Sequence, residues 1–276
     1  MGRLSGSLLV LLAVGCRAGP PHPVIAEFDS PRPIPAVDTV FLEDMTWMEV
    51  RDALRAGKTT VLVPTGGVEQ NGPYVITGKH NYILRATTEA IARRLGNALV
   101  APIVPFVPEG NIDPPSGHMK YPGTISVSED TYERLLTDLC ASLRVHGFRN
   151  IVLLGDSEGN QRGMQAVANR LTAKWASDNV RVHFLADYFD YDEVARWLES
   201  QGIRQKKEIV HDDFIVTAQL MTVSPAAVRM QPRLAAGQFR ISGLTLSPAE
   251  TAEWGKKIIA FRAERAVQAI RSVIPQ

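Results

Sequence analysis

The sequence has little cysteine and no marked excess of charge of either sign. Its 276 residues include 2 cysteines, and 30 lysine and arginine residues balance 29 aspartate and glutamate residues to a net charge of +1. The cysteine count argues against a disulfide framework. The balanced charge argues against a nucleic acid or an anionic membrane surface as a partner. With 45% hydrophobic and 21% charged residues, the chain has the composition of a globular protein with one full core.

The apolar run near the N-terminus is too short to cross a bilayer. Residues 8–14 follow Arg3, whereas a membrane-spanning helix needs about 20 apolar residues. This pattern and the small residues around Gly15 predict a signal peptide over residues 1–16 and an exported protein, periplasmic or membrane-anchored. Residues 13–16 resemble a bacterial lipoprotein cleavage box with Cys16 as the lipid-modified residue; ordinary cleavage nearby is the alternative. Such a lipid anchor is the one membrane contact that we expect.

A proline-rich segment follows the predicted signal. Residues 17–38 contain six prolines, at positions 20, 21, 23, 31, 33 and 35. Proline lacks a backbone N–H and disfavours both helix interiors and central strands. We therefore predict an extended tether over residues 17–38 and a single folded domain over residues 39–276.

Within the domain, short apolar segments alternate with amphipathic helical segments. The pattern predicts strands at 59–63, 98–102, 151–154 and 180–185, with helices at 82–95, 129–145 and 161–175 between them. Further helices are predicted at 46–56, 191–200, 214–222 and from the capping box at Ser247 onward. This alternation is typical of an α/β fold, a three-layer α/β/α arrangement with a mostly parallel central sheet.

Carboxylates follow two of the predicted strands. Glu69 lies in a loop rich in glycine and proline after the first strand, and Asp156 and Glu158 follow the third strand. Ligands bind outside the carboxyl ends of the strands in open α/β sheets. A metal ion is the simplest reason to gather these carboxylates. Residues 105–123, with five prolines and three glycines, form a long irregular loop of the kind that is usually functional.

Four segments in matching order resemble the creatininase-type amidohydrolases. Residues 69–74 are similar to the Glu-Gln-His-Gly-Pro-His signature of that family, and residues 155–160 to its Asn-Gly-His-Gly-Gly-Asn loop. Residues 118–126 resemble its His-x-x-Phe-Pro-Gly-Thr segment, and residues 210–213 fall where the family has His-Ala-Gly-Glu. The resemblance covers about residues 40–229, and ordered matches are more specific than any single motif.

The resemblance implies a creatininase-like fold and an amidohydrolase that cleaves an amide or cyclic amide C–N bond of a small molecule. It also implies a divalent metal, with zinc expected first and manganese or iron as alternatives, which activates water and polarises the carbonyl group. By the same resemblance we expect a homo-oligomer, commonly a hexamer. Glu69 matches a metal-binding glutamate of the family.

Several positions depart from the family pattern. Asn71 and Tyr74 replace two histidines, and Ser157 stands where a metal-binding histidine is expected. His80 replaces a bridging aspartate, and Val216 replaces a glutamate. A histidine binds one ion through one nitrogen, so these replacements argue for at most one metal ion.

The remaining polar residues of these loops supply the candidate site. The predicted metal ligands are Glu69, His80, Asp156, Glu158, His211 and Asp213. His80 and His211 are also candidates for acid–base catalysis. Each has an ordinary structural explanation as well: loop carboxylates accept backbone hydrogen bonds, and aspartate and serine cap helix N-termini. His118 is predicted to be a wall or structural residue of the site, and Cys140 to be buried in the core.

Two other functions remain open on the sequence alone. Residues 152–157 resemble the Gly-Asp-Ser block of esterases, in which Ser157 would be the nucleophile with His211 and Asp212 as partners. The loss of family ligands also fits a non-catalytic binding lipoprotein on the same scaffold.

Overall fold

Four parallel strands form the centre of the fold. The computed structural model describes residues 27–206 and 213–274, so the predicted signal peptide and the first part of the tether lie outside the described residues. Packing divides the chain into two units, Met1–Pro35 and Ala36–Gln276, and the sheet belongs to the second. None of the helices within the described ranges is long and apolar enough to cross a membrane.

The strands are β1 (Thr60–Thr65), β2 (Ala98–Val100), β3 (Asn150–Gly155) and β4 (Arg181–Phe184). Their order in the sheet is β2-β1-β3-β4, and every pair is parallel. In the register, Val61 lies opposite both Leu99 and Ile151. Every residue of β1 is buried, because helices cover both faces of the sheet. The sequence of β1 therefore lacks the alternation of apolar and polar residues that a strand with one exposed face would show.

Eight α-helices surround the sheet in the described part of the chain. They are α1 (Trp47–Arg55), α2 (Lys79–Leu95), α3 (Glu129–Val145), α4 (Gln161–Lys174), α5 (Tyr191–Ser200), α6 (Phe214–Val223), α7 (Met230–Ala235) and α8 (Pro248–Val273). The capping box predicted at the start of α8 is formed by Ser247 with Glu250, and Thr46 with Glu49 forms another at the start of α1. Such caps satisfy backbone N–H groups that have no partner within the helix.

Each face of the sheet has its own apolar core. One core joins alternate strand residues to α3 and α4, through Val61, Ile151, Leu136, Cys140 and Leu171. The other joins the remaining strand residues to α2 and α8, through Leu62, Val152, Leu84, Ile91 and Ile270. Burial of one such large side chain contributes about 1.5–3 kcal/mol. The predicted three-layer α/β/α fold with a parallel central sheet is thereby confirmed, as is the buried position of Cys140.

Several element boundaries differ from the sequence prediction by one or more residues, and two of the differences have a clear physical reason. Helix α2 begins at Lys79 and not at Tyr82, because Lys79 and His80 are buried polar residues that the apolar periodicity does not register. Strand β2 ends at Val100, before Pro102, which has no N–H for the sheet ladder. The earlier start of α2 matters for function, since its first two side chains lie beside Glu69.

Candidate metal and active site

A cavity of about 790 Å³ opens where the carboxyl ends of β1 and β3 lie side by side. The wall contains charged and polar side chains from six separate segments, among them Glu69, Lys79, His80, Glu109, His118, Asp156, Ser157, Glu158, Tyr191 and Asp213. The cavity therefore lies at the edge of the sheet where ligands bind in open α/β folds.

Glu69 is buried at the centre of this wall, with 2% of its surface exposed. Its Oε1 lies 3.0 Å from Lys79 Nζ and 3.0 Å from His80 Nε2. Its Oε2 lies 3.2 Å from His118 Nε2. Glu69 is thus not a surface carboxylate, and side-chain nitrogens lie beside both of its oxygens.

Glu109 is a second buried carboxylate, and the sequence analysis did not include it among the candidates. It is 4% exposed. Ser157 Oγ donates to its Oε2 at 3.3 Å, while its Oε1 has no hydrogen-bond partner among the described residues. Burial, and then the negative charge of Glu69, raise the pKa of Glu109 to about 9. Its place in the long loop, between Pro108 and Gly110, was the available signal.

A glycine makes this approach possible. A Cβ atom built on Gly67, whose φ is +155°, would lie 2.2 Å from Glu109 Oε1. Any other residue at position 67 would displace the carboxylate from this position and would also strain the backbone. The glycine-rich turn that the sequence marked as a ligand loop therefore admits the carboxylate of another segment.

Glu69, Glu109 and His118 form a group that fits one divalent ion. Each offers one ligand atom, and the three atoms lie within 4.8 Å of one another. Two buried carboxylates in contact are unfavourable unless a cation or a shared proton neutralises them. The unpartnered Oε1 of Glu109 is the atom whose hydrogen-bonding need an ion would meet. The donor set of two carboxylates and one imidazole suits zinc or manganese.

His80 and Asp156 form a second group, adjacent to the first. His80 Nδ1 lies 3.0 Å from Asp156 Oδ2, and His80 Nε2 faces Glu69. The other oxygen of Asp156 accepts hydrogen bonds from Tyr191 at 2.9 Å and from Arg262 at 2.6 Å. Burial would raise the pKa of Asp156, but the Arg262 guanidinium and His80 lower it to about 2. Asp156 is therefore ionised, and it holds the His80 ring in place.

The other predicted site residues occupy different environments. Glu158 is exposed at the cavity edge. Asp213 also lines the cavity, and its Oδ1 accepts from Val216 N at 2.9 Å, so that it caps α6. His211 lies outside the described residues. Ser157 Oγ contacts the Glu109 carboxyl, and in the part of the chain that the structure describes it donates to no histidine.

Two asparagines hold the site loops together. Asn71 Nδ2 donates to the backbone oxygens of Glu69 at 2.9 Å and Ile76 at 3.0 Å. Asn160 Nδ2 donates to the backbone oxygens of Thr65 at 2.8 Å and Gly66 at 2.9 Å, which joins the loop after β3 to the loop after β1. Asn71 stands at a position where the family has a metal-binding histidine, and its side-chain amide here hydrogen-bonds the backbone of the loop.

Comparisons with known proteins agree with this picture. A family profile described as creatinine amidohydrolase matches residues 43–270. Creatinine amidohydrolase of Pseudomonas putida is 28% identical over 116 residues, which are 42% of this chain and 44% of that protein. A 3-dehydro-scyllo-inosose hydrolase of Thermotoga maritima is 26% identical over 115 residues, 42% of this chain and 35% of that protein. The matched segments thus span less than half the length of these curated relatives.

A solved structure agrees over a longer stretch. A creatininase structure described with Mn aligns with 86% of this chain and 100% of that chain, with a TM-score of 0.68 and 21% identity. At that identity the likeness shows the fold.

Proposed function

The chain belongs to the creatininase family, and from that membership we propose that it is a metal-dependent amidohydrolase acting on an amide or cyclic amide C–N bond of a small molecule. The observation that carries the proposal is the group of Glu69, Glu109 and His118, three ligand atoms within 4.8 Å of one another on a cavity wall. The cavity, about 790 Å³, has the size of a small-molecule site.

The proposed ion is held by Glu69, Glu109 and His118, with zinc expected first and manganese or iron as alternatives. Three protein ligands are the usual number at a catalytic zinc site, because this number leaves a coordination position open for water or substrate. When bound, a divalent ion polarises a carbonyl group and lowers the pKa of water.

The neighbouring residues supply proton transfer and orientation. Because Asp156 is ionised, His80 Nδ1 donates its hydrogen to Asp156 Oδ2. The contact between His80 Nε2 and Glu69 Oε1, at 3.0 Å, requires a further hydrogen. We propose that this proton passes to the leaving nitrogen, since amide cleavage requires a general acid there. The hydrogen bonds from Arg262 and Tyr191 hold Asp156 in position, and Asp156 in turn orients the His80 ring.

Elemental analysis of the purified chain after loading with zinc, manganese or iron tests the proposal. We expect about one ion per chain, because the group offers three ligands to one ion. Glu69→Ala and Glu109→Gln should lose the ion. Glu158→Gln is the matched control, an exposed carboxylate at the edge of the same cavity, and should retain the ion. Failure to retain any of these metals would contradict the proposal.

Activity is then measured on a panel of cyclic and linear amides. The loaded chain should hydrolyse at least one class, and the chelator-treated chain should not. Metal binding without turnover of any amide would favour a binding protein on the same scaffold.

A further inference from the structure

Lys79 is a buried lysine on the cavity wall. It belongs neither to the three proposed metal ligands nor to the pair of His80 and Asp156 that is proposed to transfer a proton. It is the first residue of α2 and is 3% exposed. Its Nζ lies 3.0 Å from Glu69 Oε1. Lysine is almost never fully buried without a charged partner, because desolvation of the ammonium is costly. Glu69 is that partner for Lys79, and the pair places a lysine ammonium on the wall of the cavity.

The two oxygens of Glu69 face different partners. Oε2 faces His118, a member of the group that fits the ion. Oε1 faces Lys79 and His80. The positive charge of Lys79 also reaches Glu109, where it opposes the effects of burial and of Glu69 on the pKa. The Lys79 ammonium thus lies beside one oxygen of Glu69, and a second proposed ligand of the divalent ion, His118, lies beside the other.

We propose that Lys79 is a built-in second cation of the site, which weakens binding of the divalent ion but stabilises the negative charge that develops on the substrate carbonyl oxygen. This inference rests on the proposed function. His80, which can bind one ion through one nitrogen, lies against the same oxygen of Glu69. Lys79 and His80 each lie 3.0 Å from Oε1, so that oxygen already has two side-chain nitrogens beside it. We therefore expect one ion and no second metal bridged through this oxygen.

Amide hydrolysis develops negative charge on the substrate carbonyl oxygen, and a positive charge beside that oxygen stabilises it. In amide hydrolysis the oxygen of water adds to the carbonyl carbon, and the electron pair of the C=O π bond moves to the oxygen. The C–N bond then breaks, the nitrogen takes up a proton, and the products are a carboxylic acid and an amine. A Lys79 N–H donates a hydrogen bond to the oxygen while it is negative and gives up no proton. Preorganised donors of this kind act only when the charge develops, so they raise kcat.

Metal affinity provides a test that does not require a substrate. Mn²⁺ alone is titrated calorimetrically into the chelator-treated full chain and into Lys79→Met, Lys79→Arg and Lys120→Met. Lys120 is the matched control, an exposed lysine on the loop that carries His118. Because removal of a nearby like charge favours a bound cation by about one to three powers of ten, Lys79→Met should bind Mn²⁺ at least about tenfold more tightly. Lys79→Arg and Lys120→Met should match the original chain.

The same substitution that tightens Mn²⁺ binding should lower the rate of amide hydrolysis. At saturating metal, Lys79→Met should lose about 10²–10³ in kcat, the usual effect of removing one such donor, with little change in KM. Lys79→Arg should recover part of the loss. A purely structural lysine would give lower metal affinity and lower activity together. Lys79→Gln, checked by circular dichroism, replaces Lys79→Met if the latter does not fold.

The outcomes separate this inference from the proposed function. One ion in both proteins with equal or weaker affinity in Lys79→Met overturns the role of Lys79 and leaves the proposed function standing. Two ions in the original chain also overturn it. Tighter Mn²⁺ binding in Lys79→Met with no amide turned over by any variant overturns the catalytic half and counts against the proposed function. The absence of any bound ion in both proteins overturns both.

Discussion

At the residue scale, the site depends on which charges are buried together. Glu69 and Glu109 are almost completely buried, and Lys79 and His118 lie next to Glu69. Unpaired buried charge is costly, so such a group persists where function requires it or where a ligand neutralises it. Burial, and then the negative charge of Glu69, raise the pKa of Glu109.

The first residue-scale prediction concerns Ser157. Its hydroxyl makes one hydrogen bond to Glu109, and one such bond contributes about 0.5–1.5 kcal/mol. Ser157→Ala should therefore lower amide hydrolysis by less than about tenfold and leave the bound metal in place. If Ser157 were the nucleophile of an esterase, the loss would be about 10⁴-fold or more. Steady-state kinetics, together with a serine-reactive probe, distinguishes the two.

The second residue-scale prediction concerns the metal-free protein. Because the pKa of Glu109 is raised from 4.5 to about 9, the folded state keeps a proton that the unfolded chain has lost at neutral pH. The free energy of unfolding should therefore fall as pH rises from about 5 to about 9. Urea unfolding of the chelator-treated chain measures this slope. Glu109→Gln should reduce it, and equal slopes in both proteins would show that Glu109 does not cause it.

At the element scale, a close crossing of α6 and α8 supports one side of the site. A Cβ atom on Gly255 of α8 would lie 1.9 Å from the backbone oxygen of Ala218 in α6. Residues of α6 are buried around the whole helix. Arg262, two turns further along α8, extends from this packed helix to Asp156. The contact between the two helices therefore helps to place the guanidinium.

A substitution at this crossing should reverse the usual effect of helix propensity. Alanine stabilises an exposed helix position by about 1 kcal/mol relative to glycine. Gly255→Ala should instead destabilise the protein by about 1–3 kcal/mol, because the added methyl group forces the helices apart. Ala260→Gly, at an exposed position of the same helix, measures the propensity effect alone. Urea unfolding of both variants gives the comparison, and a more stable Gly255→Ala protein would contradict the packing argument.

At the scale of the whole molecule, the parallel sheet brings distant segments to one cavity. The loops after β1 and β3 lie side by side because the strands pair directly. The loop after β2 supplies Glu109, and α8 supplies Arg262. The family profile covers residues 43–270, nearly the whole folded part of the chain.

The N-terminal prediction belongs to this scale as well. We propose that residues 1–16 direct export and that Cys16 becomes the lipid-modified first residue of the mature chain. Intact-mass measurement on the chain recovered from bacterial membranes should show a protein that begins at Cys16 and carries the mass of a lipid. Cys16→Ala should abolish the lipid and move the protein out of the membrane fraction. An unprocessed N-terminus in both would contradict the prediction.

The sequence by itself determined the local structure and the place of the site. Apolar periodicity and caps predicted the helices and strands, since these depend on neighbours within a few residues. Motif order pointed to Glu69, His80 and Asp156, which lie directly after strands or at a helix start. The same short segments also carried the resemblance to the creatininase family.

Only the tertiary structure decided what these residues contact. Glu109 joins Glu69 from 40 positions away, and Arg262 reaches Asp156 across 106 positions. Lys79 differs from an ordinary surface lysine only by its burial beside Glu69. No local pattern encodes such pairs, because side chains remote in sequence meet only when the sheet and helices pack. Pairing, burial and charge at the site are therefore properties of the packed fold.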